Sequence, residues 1–148
     1  MKPKLIVLTL GALLLSVLVF SAMPPADSAA IDDGWWDAGW PYRTLVTVNA
    51  AGHPRVDKPA EAVINFTTLL NNLGKPGTFE PKSIRVVEVD NSDSVIDDNV
   101  PFQFDKAGNY NASTNAAGTL TFLLNGSTAS NQARRFHIYF DKTGKTYT

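Results

Sequence analysis

The chain contains no cysteine in its 148 residues. That excludes disulfides, thiol nucleophiles and thiolate metal sites. Histidine is nearly absent as well: only His53 and His137 are available for zinc or nucleophilic chemistry. No sign of charge prevails, since 13 basic and 14 acidic side chains leave a net charge of −1. Without a basic stripe to follow a phosphate backbone, nucleic acid is not an expected partner. Helical periodicity of 3.6 residues is missing throughout the part beyond the first thirty residues, which argues against a helical bundle.

What is present begins with an export leader. Lys2 and Lys4 precede an apolar run from Leu5 to Phe20, and Ser28-Ala29-Ala30 follows. A positive start, an apolar middle of roughly 7–15 residues and small residues at the −3 and −1 positions describe a secretory signal peptide. Residues 1–30 are therefore expected to be removed, with the cut before Ile31, giving a secreted or cell-surface protein. The competing expectation is an uncleaved anchor, and this segment would then be the chain's only link to a membrane. Its run is slightly short against the roughly 20 apolar residues that span a bilayer. Cleavage would remove Lys2, Lys4 and Asp27, leaving 11 basic and 13 acidic side chains. The remainder divides into a Trp- and Asp-rich lead-in at 31–41 and one domain at 42–148.

That domain is built from two-residue alternation, the pattern of half-buried strands. It is strongest at Ala133–Asp141, where Phe136, Ile138 and Phe140 share one face and Arg135, His137 and Tyr139 the other. Earlier segments repeat it: 42–48, with Tyr42, Thr44, Val46 and Val48 on one face; 59–66, opened by Pro59, with Ala60, Ala62, Ile64 and Phe66 inward; and 84–89, apolar on both faces apart from Arg85 and Glu88. Val100, Phe102 and Phe104 follow, then Leu120, Phe122 and Leu124. Thr67 or Thr68 is expected to cap one short helical turn, 69–73, with Gly74 as its stop. Asn125-Gly126 is expected to start a turn, and 108–118 to be a long polar loop, either mobile or in contact with a ligand. Together these predict an all-β fold, an antiparallel sandwich or partly open barrel of about six to seven strands with one short helix. No capping element follows Asp141, so the chain is expected to be the N-terminal piece of something longer.

The most suggestive chemistry lies in the lead-in. Trp35, Trp36 and Trp40 are interleaved with Asp33 and Asp37. Flat indoles stack on the C–H face of a sugar, and nearby carboxylates accept hydroxyl hydrogen bonds. The plainer account has the indoles packing over an open part of the core or against another domain. Glu88, Asp90, Asp93, Asp97 and Asp98 raise the question of calcium, but their spacing fits no EF-hand loop, and a solvated turn is the simpler reading. Arg43, Arg85, Arg134 and Arg135 form either a cationic stripe or cross-strand pairs with Glu61 and Glu88. No catalytic constellation, metal site or cofactor is expected.

Trp40-Pro41-Tyr42-Arg43, the stretch from Phe79 to Asp90, Val100-Pro101-Phe102-Gln103-Phe104-Asp105 and the closing Arg135 to Phe140 form a series. As a series they resemble the N-terminal β-modules of large exported bacterial proteins, which often carry polysaccharide-processing or cell-surface domains downstream. The resemblance spans nearly all of residues 40–141. It implies an accessory unit of uncharacterised role, with no catalytic residues to carry over. Polysaccharide, a neighbouring domain or an envelope protein are the partners it implies. The alternatives are a membrane-anchored structural or assembly protein of the envelope, and a fragment of a polysaccharide lyase or glycoside hydrolase.

Overall fold

A computed structural model describes residues 34–147. The expected leader at 1–30, its cleavage site and Asp33 lie outside the described residues. The strands are β1 (Tyr42–Asn49), β2 (Arg55–Asn65), β3 (Arg85–Val89), β4 (Val95–Asp97), β5 (Phe102–Lys106), β6 (Ala117–Thr128) and β7 (Ala133–Phe140). A helix, α1 (Phe66–Asn72), follows β2, and a 3-10 turn (Pro81–Ser83) precedes β3. The strands form two antiparallel sheets, β1-β7-β3-β4 and β2-β6-β5. The fold is thus an all-β sandwich.

Alternation explains why the sheets face each other. Phe136, Ile138 and Phe140 of β7, with Val86 of β3, meet Leu120, Phe122 and Leu124 of β6, and all are buried. Each such side chain contributes about 1.5–3 kcal/mol when fully buried. Phe66 and Phe79 stack at 4.1 Å beneath α1 and close one end of this core. Gly118 is required by close approach: a Cβ there would come within 2.5 Å of the Asp105 carbonyl and of the Phe104 ring.

Several expectations are corrected. Phe102 has the inward register opposite Phe122, yet it is 37% exposed, and Val100 is the buried residue instead. The cause is position: β5 is an outer strand, and the outer strand β4 of the other sheet has only three residues to cover it. The helix starts at Phe66, three residues earlier than expected, because Asn65 is the cap; its side chain accepts from the Thr68 N–H at 3.2 Å. Thr67 is buried and its hydroxyl accepts from the Ala116 N–H. β2 begins at Arg55 and places Pro59 inside an outer strand, where a missing N–H is tolerated. β6 runs straight through Asn125-Gly126 to Thr128. The polar loop before β6 is tied down by paired backbone bonds between Asn111 and Asn115 and by the Phe79 N–H on the Ala112 carbonyl.

The largest surprise is the far side of β7. His137 is 4% exposed and Tyr139 is fully buried, although alternation places both on the outer face.

Candidate functional site

The cover over that face is the segment from Gly34 to Trp40. Val87, Val89 and Tyr139 form a second apolar cluster, and Trp35, Trp36 and Trp40 pack against it. Trp35 meets Tyr139 edge-on at 5.6 Å, and Trp36 meets it at the same distance with a tilt of 58°. Trp36 and Trp40 are 5.0 Å apart, and Trp40 and Tyr147 are 5.3 Å apart. The Arg43 guanidinium lies 4.4 Å above Trp35, and that of Arg85 lies 5.2 Å above Trp40. Such cation–ring contacts contribute about 0.5–1 kcal/mol at exposed sites and more when desolvated.

Hydrogen bonds fix the segment as firmly as packing does. The indole N–H of Trp35 donates to the Trp40 carbonyl at 2.8 Å, that of Trp36 to Asp98 Oδ2 at 3.1 Å, and that of Trp40 to the Ser83 carbonyl at 2.5 Å. The Tyr139 hydroxyl accepts the Trp36 backbone N–H at 2.8 Å, and Arg43 donates to the Gly34 carbonyl at 2.6 Å. Gly34 sits at φ +64, and a Cβ would come within 2.4 Å of the Asp93 carbonyl. No other residue fits there without displacing the turn.

Of the residues singled out for ligand contact, Trp35, Trp36 and Trp40 come together and remain half-exposed. Asp37 points into its own turn, accepting the Gly39 N–H at 2.6 Å. Tyr139, Arg43, Arg85, Asp98 and Tyr147 join the tryptophans without having been singled out for it. One sequence signal was present for Tyr139: a large aromatic ring on the supposedly wet side of a strand asks for a cover. A groove of about 430 Å³ borders this cluster, lined by Trp35, Pro41, Tyr42, Arg43, Leu73 and Lys75.

The charged groups are dispersed into structural roles. Glu88 meets Arg134 in a buried fork at 2.5 and 2.6 Å, on the inner face. Asp90 accepts the N–H groups of Ser92 and Ser94 within its own turn. Asp93 holds Arg135 at 2.6 Å and lies 3.5 Å from His137 Nε2. Burial holds His137 below the ordinary imidazole value, helped by the positive charges of Arg43 and Arg135 and opposed by Asp93. Asp97 caps a turn at Asn99. Of the four arginines, only Arg134 meets Glu88, so the expected set of pairs with Glu61 and Glu88 is corrected. Glu61 is exposed and lies on the other sheet. Tyr147 donates to the Asp141 carboxylate, and burial together with that bond pushes its phenol well above the usual value. Among the described residues no three acidic or histidine side chains gather as a metal would need.

No family model, curated protein or solved structure matches the chain.

Proposed function

We propose that this chain is an exported, non-catalytic β-sandwich module that serves as an accessory scaffold beside a carbohydrate-active or cell-surface neighbour. One observation carries the reading: all three indole N–H groups end on acceptors of the chain itself, and the rings rest on Val87, Val89 and Tyr139. An indole that stacks on sugar needs an open ring face. Here Arg43 lies over Trp35 and Arg85 over Trp40, and the rings and their N–H groups hold residues 34–40 over the four-stranded sheet. Export rests on the leader sequence alone.

Direct carbohydrate binding is the second reading, favoured by the half-exposed row Trp36, Trp40 and Tyr147. Titrating the intrinsic tryptophan fluorescence with plant and bacterial polysaccharides separates the two. The scaffold reading expects no spectral shift with any glycan. A saturable shift that disappears in Trp36→Ala, with the fold retained, would replace it with carbohydrate recognition. An intact Met1 in the mass of the mature protein would favour the anchored envelope alternative over release.

A further inference from the structure

We infer that Asn125 is a site of self-modification, at which the Gly126 nitrogen converts the side-chain amide to a carboxylate at a rate set by Asp57. Asn125-Gly126 is the chain's single Asn-Gly pair. The reaction is intramolecular. The backbone nitrogen of Gly126 gives up its proton and bonds to Asn125 Cγ, ammonia leaves, and a cyclic imide forms. Water then opens the imide at either carbonyl, giving aspartate or its isomer with the main chain running through the former side chain. Gly126 suits the attack because no Cβ crowds its nitrogen.

The pair sits where the strand ladder is broken. Val56 faces Ser127 and Lys58 faces Leu124, so Asp57 alone stands opposite Asn125 and Gly126. Such a bulge leaves the ladder locally disrupted. Both strands pass through it with left-handed backbone, φ +48 at Asp57 and +77 at Gly126. Asn125, Gly126 and Ser127 are exposed, so water reaches them. The Asn125 side chain is loosely held: its amide nitrogen reaches Asp97 Oδ2 only at 3.5 Å, longer than an ordinary hydrogen bond.

Two opposite charges grip the peptide group that reacts. Arg134 Nη1, on a guanidinium fixed by Glu88, donates to the Asn125 carbonyl at 2.9 Å. A positive charge there favours the negative charge that spreads onto this oxygen when the Gly126 nitrogen loses its proton. Asp57 Oδ1 accepts the Gly126 N–H at 2.6 Å and acts in the other direction. It holds the proton in a charge-assisted bond, and its own negative charge opposes ionisation beside it. Arg134 thus primes the site and Asp57 restrains it. Once formed, a carboxylate at position 125 lies beside Asp97, where like charges repel. The isomer's longer backbone also draws the carbonyl away from Arg134, so both products weaken this end of β6.

The inference is independent of the scaffold reading, and its test uses neither glycan nor partner. The full chain, in the form recovered from expressing cells, is incubated at mildly alkaline pH and followed by peptide mass mapping. The mass gain of amide-to-acid conversion, with the isomer among the products, is expected in the peptide that holds residues 125–126. Asp57→Gly suits the positive φ and removes the acceptor. It is expected to react at least about tenfold faster, the ratio that one hydrogen bond to a charged group contributes. Asp57→Asn keeps an acceptor without its charge and is expected to fall between the two. In urea all three rates should converge, because the restraint belongs to the fold. Modified chains are expected to unfold at a lower urea midpoint. Three results would overturn the proposal: conversion at other asparagines such as Asn91 but not at Asn125, equal rates in the native and Asp57→Gly chains when their near-ultraviolet spectra match, or a rate ratio that persists in urea.

Discussion

Both faces of the four-stranded sheet bury apolar side chains at their centre, but by different means. On the inner face, Val86, Phe136, Ile138 and Phe140 meet the second sheet through apolar contact, with the Glu88–Arg134 fork on the same face. On the outer face, Val87, Val89 and Tyr139 are covered by a short irregular segment held by indole N–H bonds, a tyrosine hydroxyl and two guanidinium–ring contacts. A sheet can cover a sheet by shape and area alone. Seven residues without regular structure must instead satisfy their backbone polar groups one at a time, which is why polar atoms dominate on that side.

The contrast predicts a ranking of energies. Phe136→Ala, within the inner face and 4.8 Å from Phe122, is expected to cost about 3–5 kcal/mol, read as a lower urea midpoint. A loss below about 1 kcal/mol would mean that the inner face is not the main source of stability. Glu88→Ala leaves the Arg134 guanidinium buried without its carboxylate and is expected to cost about 3–5 kcal/mol. Replacing both members with apolar side chains of similar volume should recover most of that, as a double-mutant comparison would show.

On the outer face, Tyr139→Phe removes the acceptor of the Trp36 N–H and is expected to cost about 1–3 kcal/mol. The loss should be concentrated locally: Trp36 amide exchange accelerates while the β3 amides remain protected. Equal acceleration in both places would show that the cover and the sandwich open as one unit.

The smallest effect concerns pH. Burial lowers the folded-state affinity of His137 for a proton, so the unfolded chain protonates first. The stabilisation is therefore present above the ordinary histidine value of about 6.5 and is lost as pH falls through it toward the lower folded value. Urea midpoints measured on either side of that value should fall on acidification. His137→Gln should flatten that dependence, and an unchanged slope in the variant would remove His137 as its source.

Much of this architecture can be read directly from the residues. Alternation in β1, β3, β6 and β7 announces strands because side chains two apart necessarily share a face. The absence of helical periodicity and the turn residues between the runs then leave an antiparallel sandwich or barrel. Alternation also names Phe122, Phe136, Ile138 and Phe140 as core, and each is buried. It misplaces Phe102 because the pattern records which face a residue takes, but not whether anything lies opposite. Asn65 as the helix cap was hidden for a related reason: Asn, Thr67 and Thr68 are all capping residues, and only chain geometry chose among them.

The residues alone thus determined that strands form and which of their sides are apolar, since both follow from local sterics and from the cost of exposing hydrocarbon to water. Only tertiary structure decided that the supposedly wet side of β7 is roofed by Trp35, Trp36 and Trp40. That outcome depends on where distant segments come to lie, and no local pattern in the chain encodes those distances.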